Sequence, residues 1–304
     1  MTVFVSAYLL LARSQLRFPQ ALLLLPVGLA ASLAANVVRL VALILIGTFV
    51  SAPAALEGFH TRAGWLFFCA LAFTLVWTSQ RLRFFAQEPS VPSFSEPTGA
   101  YLLPFLALVA MGLLTGLVSA NVDLLYGIRI IAAVLVLVAL RYDYREFTWR
   151  WSWSTIGAGL LAAVVFVALA PRPDLESVSA WNNEWLALSL WARVSWTVVR
   201  ALGSILVVPI AEELAFRGYA LRRLVAPNFE NVSPGHFSLP ALLLSSAAFG
   251  AIHAGWMGGA LAGLLFGLAQ LRGNGISHAI VAHVVSNAAV ALYVLGFGQW
   301  WLWM

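Results

Sequence analysis

The sequence predicts an all-α, polytopic integral membrane protein with about eight to ten transmembrane helices. Of its 304 residues, 62% are hydrophobic and only 10% are charged, whereas a soluble domain carries about 25% charged residues. Apolar stretches close to the length that crosses a bilayer recur along the chain. Because backbone groups in lipid must be hydrogen-bonded internally, we expect these stretches to be helices.

The apolar stretches also place the individual spans. They are predicted at about residues 2–12, 20–50, 63–80, 99–120, 125–141, 154–171, 186–208, 239–254, 256–271 and 277–297. The stretch 20–50 is too long for one upright helix, so we expect a tilt or a break there. Pro209 is expected to break or kink the run that continues beyond residue 208.

The basic residues predict the orientation of the chain. All 17 are arginine, and basic residues concentrate in the cytoplasmic loops of membrane proteins. The arginine groups at 13–17, 81–83, 141–150 and 222–223 are therefore predicted to be cytoplasmic, and 51–62, 121–124 and 172–185 to lie outside. Nucleic acid is not expected as a partner, because no basic cluster interleaved with aromatic residues is present.

The stretch 87–98, QEPSVPSFSEPT, is rich in proline and serine. Such a composition is typical of a linker. We therefore predict two domains, at residues 1–86 and 99–304.

The second predicted domain carries ionisable residues inside apolar spans, and such residues are costly enough to mark functional sites. Segment 209–223 reads PIAEELAFRGYALRR and contains Glu212, Glu213 and Arg217. On a helix, Glu213 and Arg217 share a face and can form an ion pair. Glu212 lies about 100° around the helix. One carboxylate can therefore be structural while the other stays available for chemistry.

Two further segments add histidines and an amide. FGAIH places Phe249 four residues before His253, and HVVSN places His283 four residues before Asn287. A carboxylate, two imidazoles and a carboxamide could activate water and hold an oxyanion. Taken singly, each residue also fits a structural ion pair, a core histidine or an interhelical hydrogen bond. Buried Glu, Arg and His also line ion paths, so a transporter is an alternative.

Residues of about 185–300 resemble the CAAX protease and bacteriocin-processing family, also called CPBP or Abi. The motifs EExxxR, FxxxH and HxxxN match EELAFR at 212–217, FGAIH at 249–253 and HVVSN at 283–287. The resemblance implies an intramembrane endopeptidase in which Glu212 and His253 activate water. It further implies that His283 and Asn287 stabilise the oxyanion and that Glu213 with Arg217 holds the helix geometry.

The same resemblance bears on cofactors and partners. We expect direct activation of water without a cofactor. A divalent metal such as zinc, held by Glu212, His253 and His283, is the alternative, because two histidines and a carboxylate form a known zinc ligand set. The expected partners are a membrane-associated protein or peptide substrate and the lipid bilayer.

The first domain resembles part of an exosortase, a membrane transpeptidase family. The segments AANVVRL and EGFHTRAG place Asn36, Arg39, His60 and Gly64. The resemblance implies that Arg39 stabilises an oxyanion and His60 moves protons. No cysteine precedes residue 39, so the family's nucleophile has no counterpart. We therefore expect a remnant without transpeptidase activity, or a missing upstream segment.

The order of the two segments is similar to exosortase E/protease of the VPEID-CTERM sorting system. This similarity implies a multi-pass protein of the bacterial inner membrane that processes C-terminal sorting signals. A non-catalytic chaperone or immunity factor that keeps the family fold is a further alternative.

Overall fold

The computed structural model describes residues 1–13, 15–49, 60–87, 97–116, 119, 121–144 and 147–304. This part of the chain is mainly helical and contains no β-strand, which confirms the predicted all-α class. Its helices are α1 Thr2–Leu11, α2 Leu24–Phe49, α3 His60–Arg81, α4 Pro97–Gly116, α5 Tyr126–Ala139, α6 Trp153–Leu169, α7 Leu175–Ala187, α8 Leu190–Leu202, α9 Val208–Glu213, α10 Leu221–Arg223, α11 Leu239–Ala251, α12 Trp256–Gly273 and α13 Ile276–Phe297.

Four helical stretches are long and apolar enough to cross a membrane. These described stretches are Gln20–Phe49, Pro97–Gly116, Leu190–Arg223 and Ile276–Phe297. The shorter apolar helices Tyr126–Ala139, Trp153–Leu169 and Leu239–Ala251 accompany them. The polytopic membrane class predicted from composition is therefore confirmed.

The chain divides into two compact units. Unit 1 contains Met1–Phe94 and Leu113–Ala120, and unit 2 contains Ser95–Gly112 and Asn121–Met304. The predicted linker 87–98 falls largely on residues outside the described part, so the predicted domain boundaries stay predictions.

Unit 1 is built around α1, α2 and α3. Its buried cluster contains Val5, Leu9, Ala12, Leu16, Ala21, Leu24 and Leu75. The hydroxyl groups of Tyr8 and Ser79 are 2.8 Å apart and form a hydrogen bond between α1 and α3. Apolar packing plus this polar contact holds the three helices together.

The core of unit 2 packs α6, α11, α12 and α13 closely. A Cβ added at Gly159 of α6 would lie 2.4 Å from the Ala282 carbonyl oxygen of α13. A Cβ at Gly250 of α11 would lie 2.4 Å from the Trp256 carbonyl oxygen at the start of α12. Small residues permit close helix approach in a membrane, where burying apolar surface gives little driving force. These contacts set the spacing of the helices that carry the histidines.

The helix that carries the EELAFR motif does not end at Pro209. Residues 190–223 are helical throughout, and the π-helical segments Gly203–Val207 and Leu214–Ala220 flank α9. Proline lacks an N–H and crowds the carbonyl one turn earlier. The wider π turn before Pro209 accommodates both effects, so the helix does not break there; the predicted alternative, a kink, stays a prediction. π segments of this kind are frequent at functional sites.

One end of unit 2 is rich in tryptophan. Its buried cluster includes Trp181, Trp185, Trp196 and Trp303, with Trp300 packed against them. The segment predicted to be outside, 172–185, contains most of α7 rather than loop alone. Asp174 caps this helix, because its carboxylate accepts hydrogen bonds from the Ser177 N–H at 2.7 Å and the Ser177 hydroxyl at 2.9 Å.

Candidate active site

Glu213 and Arg217 form a fully buried ion pair. Both side chains are 0% exposed, and Nε of Arg217 lies 3.2 Å from Oε2 of Glu213. The Arg217 guanidinium also donates to the Gly263 carbonyl oxygen on α12 at 2.6 Å. A buried charge is tolerated only when it is paired and hydrogen-bonded. Arg217 therefore ties the motif helix to α12 while neutralising Glu213.

Glu213 also holds His283. Nδ1 of His283 donates to Oε1 of Glu213 at 2.8 Å, although the two residues are 70 positions apart in the chain. Its other ring nitrogen, Nε2, lies 3.9 Å from Oε2 of Glu212. One carboxylate thus fixes the tautomer of the ring, and the second nitrogen is directed at the other carboxylate.

Glu212 differs from Glu213 in its contacts. It is 8% exposed, and its Oε2 atom is buried without a hydrogen-bond partner among the described residues. Oε2 of Glu213 also lacks a hydrogen bond, but it lies 3.2 Å from Nε of Arg217. Of the two neighbouring carboxylates, Glu213 is thus the one that forms an ion pair with arginine among the described residues.

His253 lies two residues beyond the end of α11, so the predicted helical span 239–254 ends earlier than expected, and the last turn of α11 orients this histidine. Its Nδ1 donates to the Phe249 carbonyl oxygen at 2.8 Å, which leaves Nε2 as the second ring nitrogen. The Phe249 ring lies between the other parts of the site, with the Arg217 guanidinium 4.4 Å from its centroid and the His253 ring 4.7 Å away. Phe249 therefore spaces the arginine and the histidine, a role that the motif spacing did not reveal.

Asn287 is fixed to the motif helix. Its Nδ2 donates to the Ser204 carbonyl oxygen at 2.8 Å. The carboxamide nitrogen carries two hydrogens, so one remains after this bond is made. The carbonyl group of Ser204, which accepts the hydrogen bond from Asn287, belongs to the π-helical segment Gly203–Val207.

A cavity of about 210 Å³ joins these groups. Among its lining residues are Glu212, His253, His283 and Asn287, together with Arg200, Ser204, Phe166, Phe249, Phe266 and Trp303. Glu213 and Arg217 do not line it. The predicted site residues therefore separate into four that face the cavity and two that support them.

Arg200 was not among the predicted site residues. It lies in α8 within the membrane-spanning stretch and lines the same cavity. Its guanidinium donates to the Trp303 carbonyl oxygen over 3.4 Å and sits 4.4 Å from the Tyr126 ring centroid. Nε is buried without a hydrogen-bond partner in the described residues. The rule that ionisable residues within spans mark sites would have identified it.

The alternative metal set stays a prediction. In the described part of the chain, no three His, Cys, Asp or Glu residues form a group that could hold a metal ion. Glu212, His253 and His283 therefore do not fit a zinc site as they are placed here.

The residues of the exosortase resemblance lie in unit 1. Asn36, Arg39 and Gly64 line a cavity of about 100 Å³ between α2 and α3. A Cβ at Gly64 would lie 2.8 Å from a terminal guanidinium nitrogen of Arg39, so glycine leaves room for that group. His60 is the first residue of α3, and its side chain lies outside the described residues. The predicted partnership of Arg39 and His60 therefore stays a prediction.

Residues 194–289 match the family described as Type II CAAX prenyl endopeptidase Rce1-like. All six predicted site residues fall within this range. The C-terminal part of the chain carries an Rce1-like segment.

Residues 1–77 match the family described as transmembrane exosortase. Both resemblances drawn from the motifs are thus confirmed, each for its own segment. No curated protein and no solved structure matches the chain. The Rce1-like segment supports a CAAX-protease-type hydrolase with a protein substrate in a membrane environment.

Proposed function

We propose that the chain is an intramembrane endopeptidase in which Glu212 is the general base that activates water. The observation that carries the proposal is that the two neighbouring carboxylates make different contacts. Glu213 is held by Arg217 and His283, and its Oε2, which also lacks a hydrogen bond, lies 3.2 Å from Nε of Arg217. Glu212 lines the cavity, and its Oε2 has no hydrogen-bond partner among the described residues and lies 3.9 Å from Nε2 of His283. A general base must be free to accept a proton from its water.

The proposed reaction begins with a water molecule held between Glu212 and His253. Glu212 accepts a proton as the water oxygen attacks the peptide carbonyl carbon. The carbonyl oxygen becomes an oxyanion, and Nε2 of His283 and the remaining Nδ2 hydrogen of Asn287 stabilise it. Glu212 then gives its proton to the leaving amine, and the peptide bond breaks.

The role of Glu213 in this reaction is support. Because Nδ1–H of His283 is bonded to Glu213, Nε2 is the ring nitrogen left to face the cavity. Donation from Nε2 to the oxyanion requires the doubly protonated ring, which takes its second proton from solvent before the attack and returns it after the amine leaves.

The proposed substrate is a membrane-associated protein, and the proposed context is the processing of a C-terminal sorting signal in a bacterial inner membrane. Support comes from the Rce1-like segment and from the exosortase match in the same chain.

The test is a comparison of protein termini in membranes from cells that express the wild type or Glu212→Gln. We expect a small set of new N- and C-termini that require Glu212 and that identify both substrate and cut site. Equal abundance and equal thermal stability of the two proteins serve as the control for folding. Identical sets of termini at equal abundance would contradict the proposal.

A further inference from the structure

The two ends of unit 2 differ in charge. The Arg-rich end contains the start of α6 and α13 and the end of α10 and α12, where Arg150, Arg222, Arg223 and Arg272 lie. The N–H of Arg150 donates to the Ser277 hydroxyl at 3.2 Å, which joins the segment before α6 to the start of α13. By the positive-inside rule, this end is cytoplasmic.

The opposite end is the Trp-rich end. Trp181 of α7 stacks on Trp300, which follows α13, with ring centroids 6.1 Å apart. A Cβ at Gly255 would lie 3.1 Å from Pro171, so the end of α6 meets the start of α12 here. Within the described residues, Arg129, Arg172 and Arg193 lie close to this end, with Arg129 in an ion pair with Asp123. They are fewer than the arginines of the Arg-rich end, to which Arg141 just after the end of α5 also belongs. This end is therefore the non-cytoplasmic one.

The cavity extends from the catalytic groups towards the Trp-rich end. On the motif helix, which runs from the Trp-rich to the Arg-rich end, the lining residues Arg200, Ser204 and Val208 all precede Glu212. On α13, which runs the other way, Val290 lies about 10 Å beyond His283 by the rise of a helix. Trp303 lines the cavity as well. Space for a substrate is thus on the outer side of the catalytic groups.

Arg200 gives this outer part of the cavity a positive charge. No described carboxylate forms an ion pair with it; its contacts are the Trp303 carbonyl and the Tyr126 ring. A cation within a membrane span is costly unless a partner compensates it. A carboxylate could receive two parallel hydrogen bonds from the guanidinium, including one from the unpartnered Nε.

We propose that the cavity receives a polypeptide segment from the non-cytoplasmic face of the membrane and that Arg200 binds an acidic group of that segment. The substrate class is then a translocated protein with a carboxylate close to the cut site. This inference rests on the proposed function for the identity of the ligand. Its test, however, does not require cleavage.

The test uses a cysteine placed in the cavity. Cys69, the single cysteine of the sequence, is changed to serine, and Ser204→Cys introduces a nearly isosteric thiol at a lining position. Two small methanethiosulfonate reagents are compared, the anionic sulfonatoethyl and the cationic trimethylammonioethyl compound. Each is applied to right-side-out spheroplasts and to inverted membrane vesicles. Ser154→Cys, an exposed position at the Arg-rich end, reports the orientation of each preparation.

We expect Ser204→Cys to be modified in spheroplasts and Ser154→Cys only in inverted vesicles. The anionic reagent should react faster with Ser204→Cys by on the order of tenfold, because a charged cleft concentrates counter-ions. Arg200→Gln should bring the two rates close together, and Arg200→Lys should keep the preference. The matched control is Arg193→Gln, on the same helix but outside the cavity, which should also keep it.

Three results would overturn the inference. They are modification of Ser204→Cys only from the cytoplasmic side, no modification from either side, and equal rates for the two reagents when Arg200 is present. The last comparison uses only the Arg200-containing protein, so it holds even if Arg200→Gln does not fold. Because reagent access is independent of catalysis, failure of the protease proposal and failure of this inference give different results.

Discussion

Nδ1 of His283 donates to Oε1 of Glu213 at 2.8 Å and connects α13 to the motif helix in the interior of unit 2. In the proposed reaction, this bond gives the two adjacent carboxylates different roles. Glu213 orients the imidazole and Arg217 neutralises Glu213, so Glu212 is left to face the cavity. The support and the chemistry are thus assigned to neighbouring residues on one helix.

Replacing Glu213 with glutamine should destabilise the protein strongly. The change leaves the fully buried Arg217 without its charged partner, and breaking such a pair from one side costs about 3–5 kcal/mol. Thermal unfolding in detergent micelles measures the loss. The double variant Glu213→Gln/Arg217→Met should be more stable than Glu213→Gln alone. A single variant as stable as the wild type would show that the ion pair is unimportant.

Gly263→Ala should also destabilise the protein. The new Cβ would lie 2.8 Å from a terminal nitrogen of Arg217 and 3.1 Å from the Phe249 ring, and overpacking of this kind costs about 1–3 kcal/mol. Gly157→Ala is the matched control, because nothing lies within 4 Å of its added Cβ. The same unfolding measurement should place Gly157→Ala at or above wild-type stability. Equal stabilities for the two variants would contradict the packing described here.

Asn287→Ala should lower kcat with little change in KM. In the proposed reaction its amide stabilises charge that develops only in the transition state, and loss of one such donor costs about 10²–10³ in kcat. The measurement uses a peptide that spans the cut site and protein reconstituted in lipid vesicles. A rise in KM at unchanged kcat would assign Asn287 to substrate binding instead.

The N-terminal cap of α7, formed by Asp174, should lose stability at low pH. The hydrogen bond from the Ser177 N–H, followed by that from the Ser177 hydroxyl, lowers the pKa of Asp174 below its ordinary value. A lowered folded-state pKa contributes stability above the unfolded-state pKa of about 3.9. This stability is lost as the pH falls through the folded-state pKa.

Hydrogen exchange at the first turn of α7, followed from pH 6 towards the pKa of Asp174, measures this effect. Exchange, after correction for its intrinsic pH dependence, should accelerate at the acid end in the wild type. Asp174→Asn keeps an oxygen acceptor but does not titrate, so its corrected exchange should not change with pH. The same acid response in both proteins would rule out Asp174 as its source.

The sequence was sufficient for the all-α membrane class and for the six motif residues that the structure places around or next to the cavity. The spans follow from apolar length, and the pairs Glu213–Arg217 and His283–Asn287 follow from helical spacing. Contacts between segments that are far apart in the sequence do not follow from apolar length or helical spacing. The bond of Arg217 to the Gly263 carbonyl and that of His283 to Glu213 depend on how α12 and α13 pack.

Two local features were also not predicted from the sequence. The π segments that flank α9 let the helix pass Pro209, and no local propensity predicts them. α7 falls largely in the segment 172–185, which the alternation of arginine groups predicts to lie outside, and its helix was not predicted, although Asp174 is a good N-cap residue. Arg200, in contrast, could have been predicted from the sequence, because an ionisable residue within an apolar span marks a functional site.

The most direct test of the account is the cleavage rate of the Glu212→Gln protein in lipid vesicles, measured with a peptide that spans a mapped cut site in ¹⁸O-labelled water. If Glu212 is the base, the wild type places one ¹⁸O atom in the new carboxylate. Glu212→Gln, at unchanged thermal stability, is then slower by at least about 10²-fold, as expected for loss of a general base. Cleavage by Glu212→Gln at the wild-type rate would contradict the assignment of Glu212 as the base.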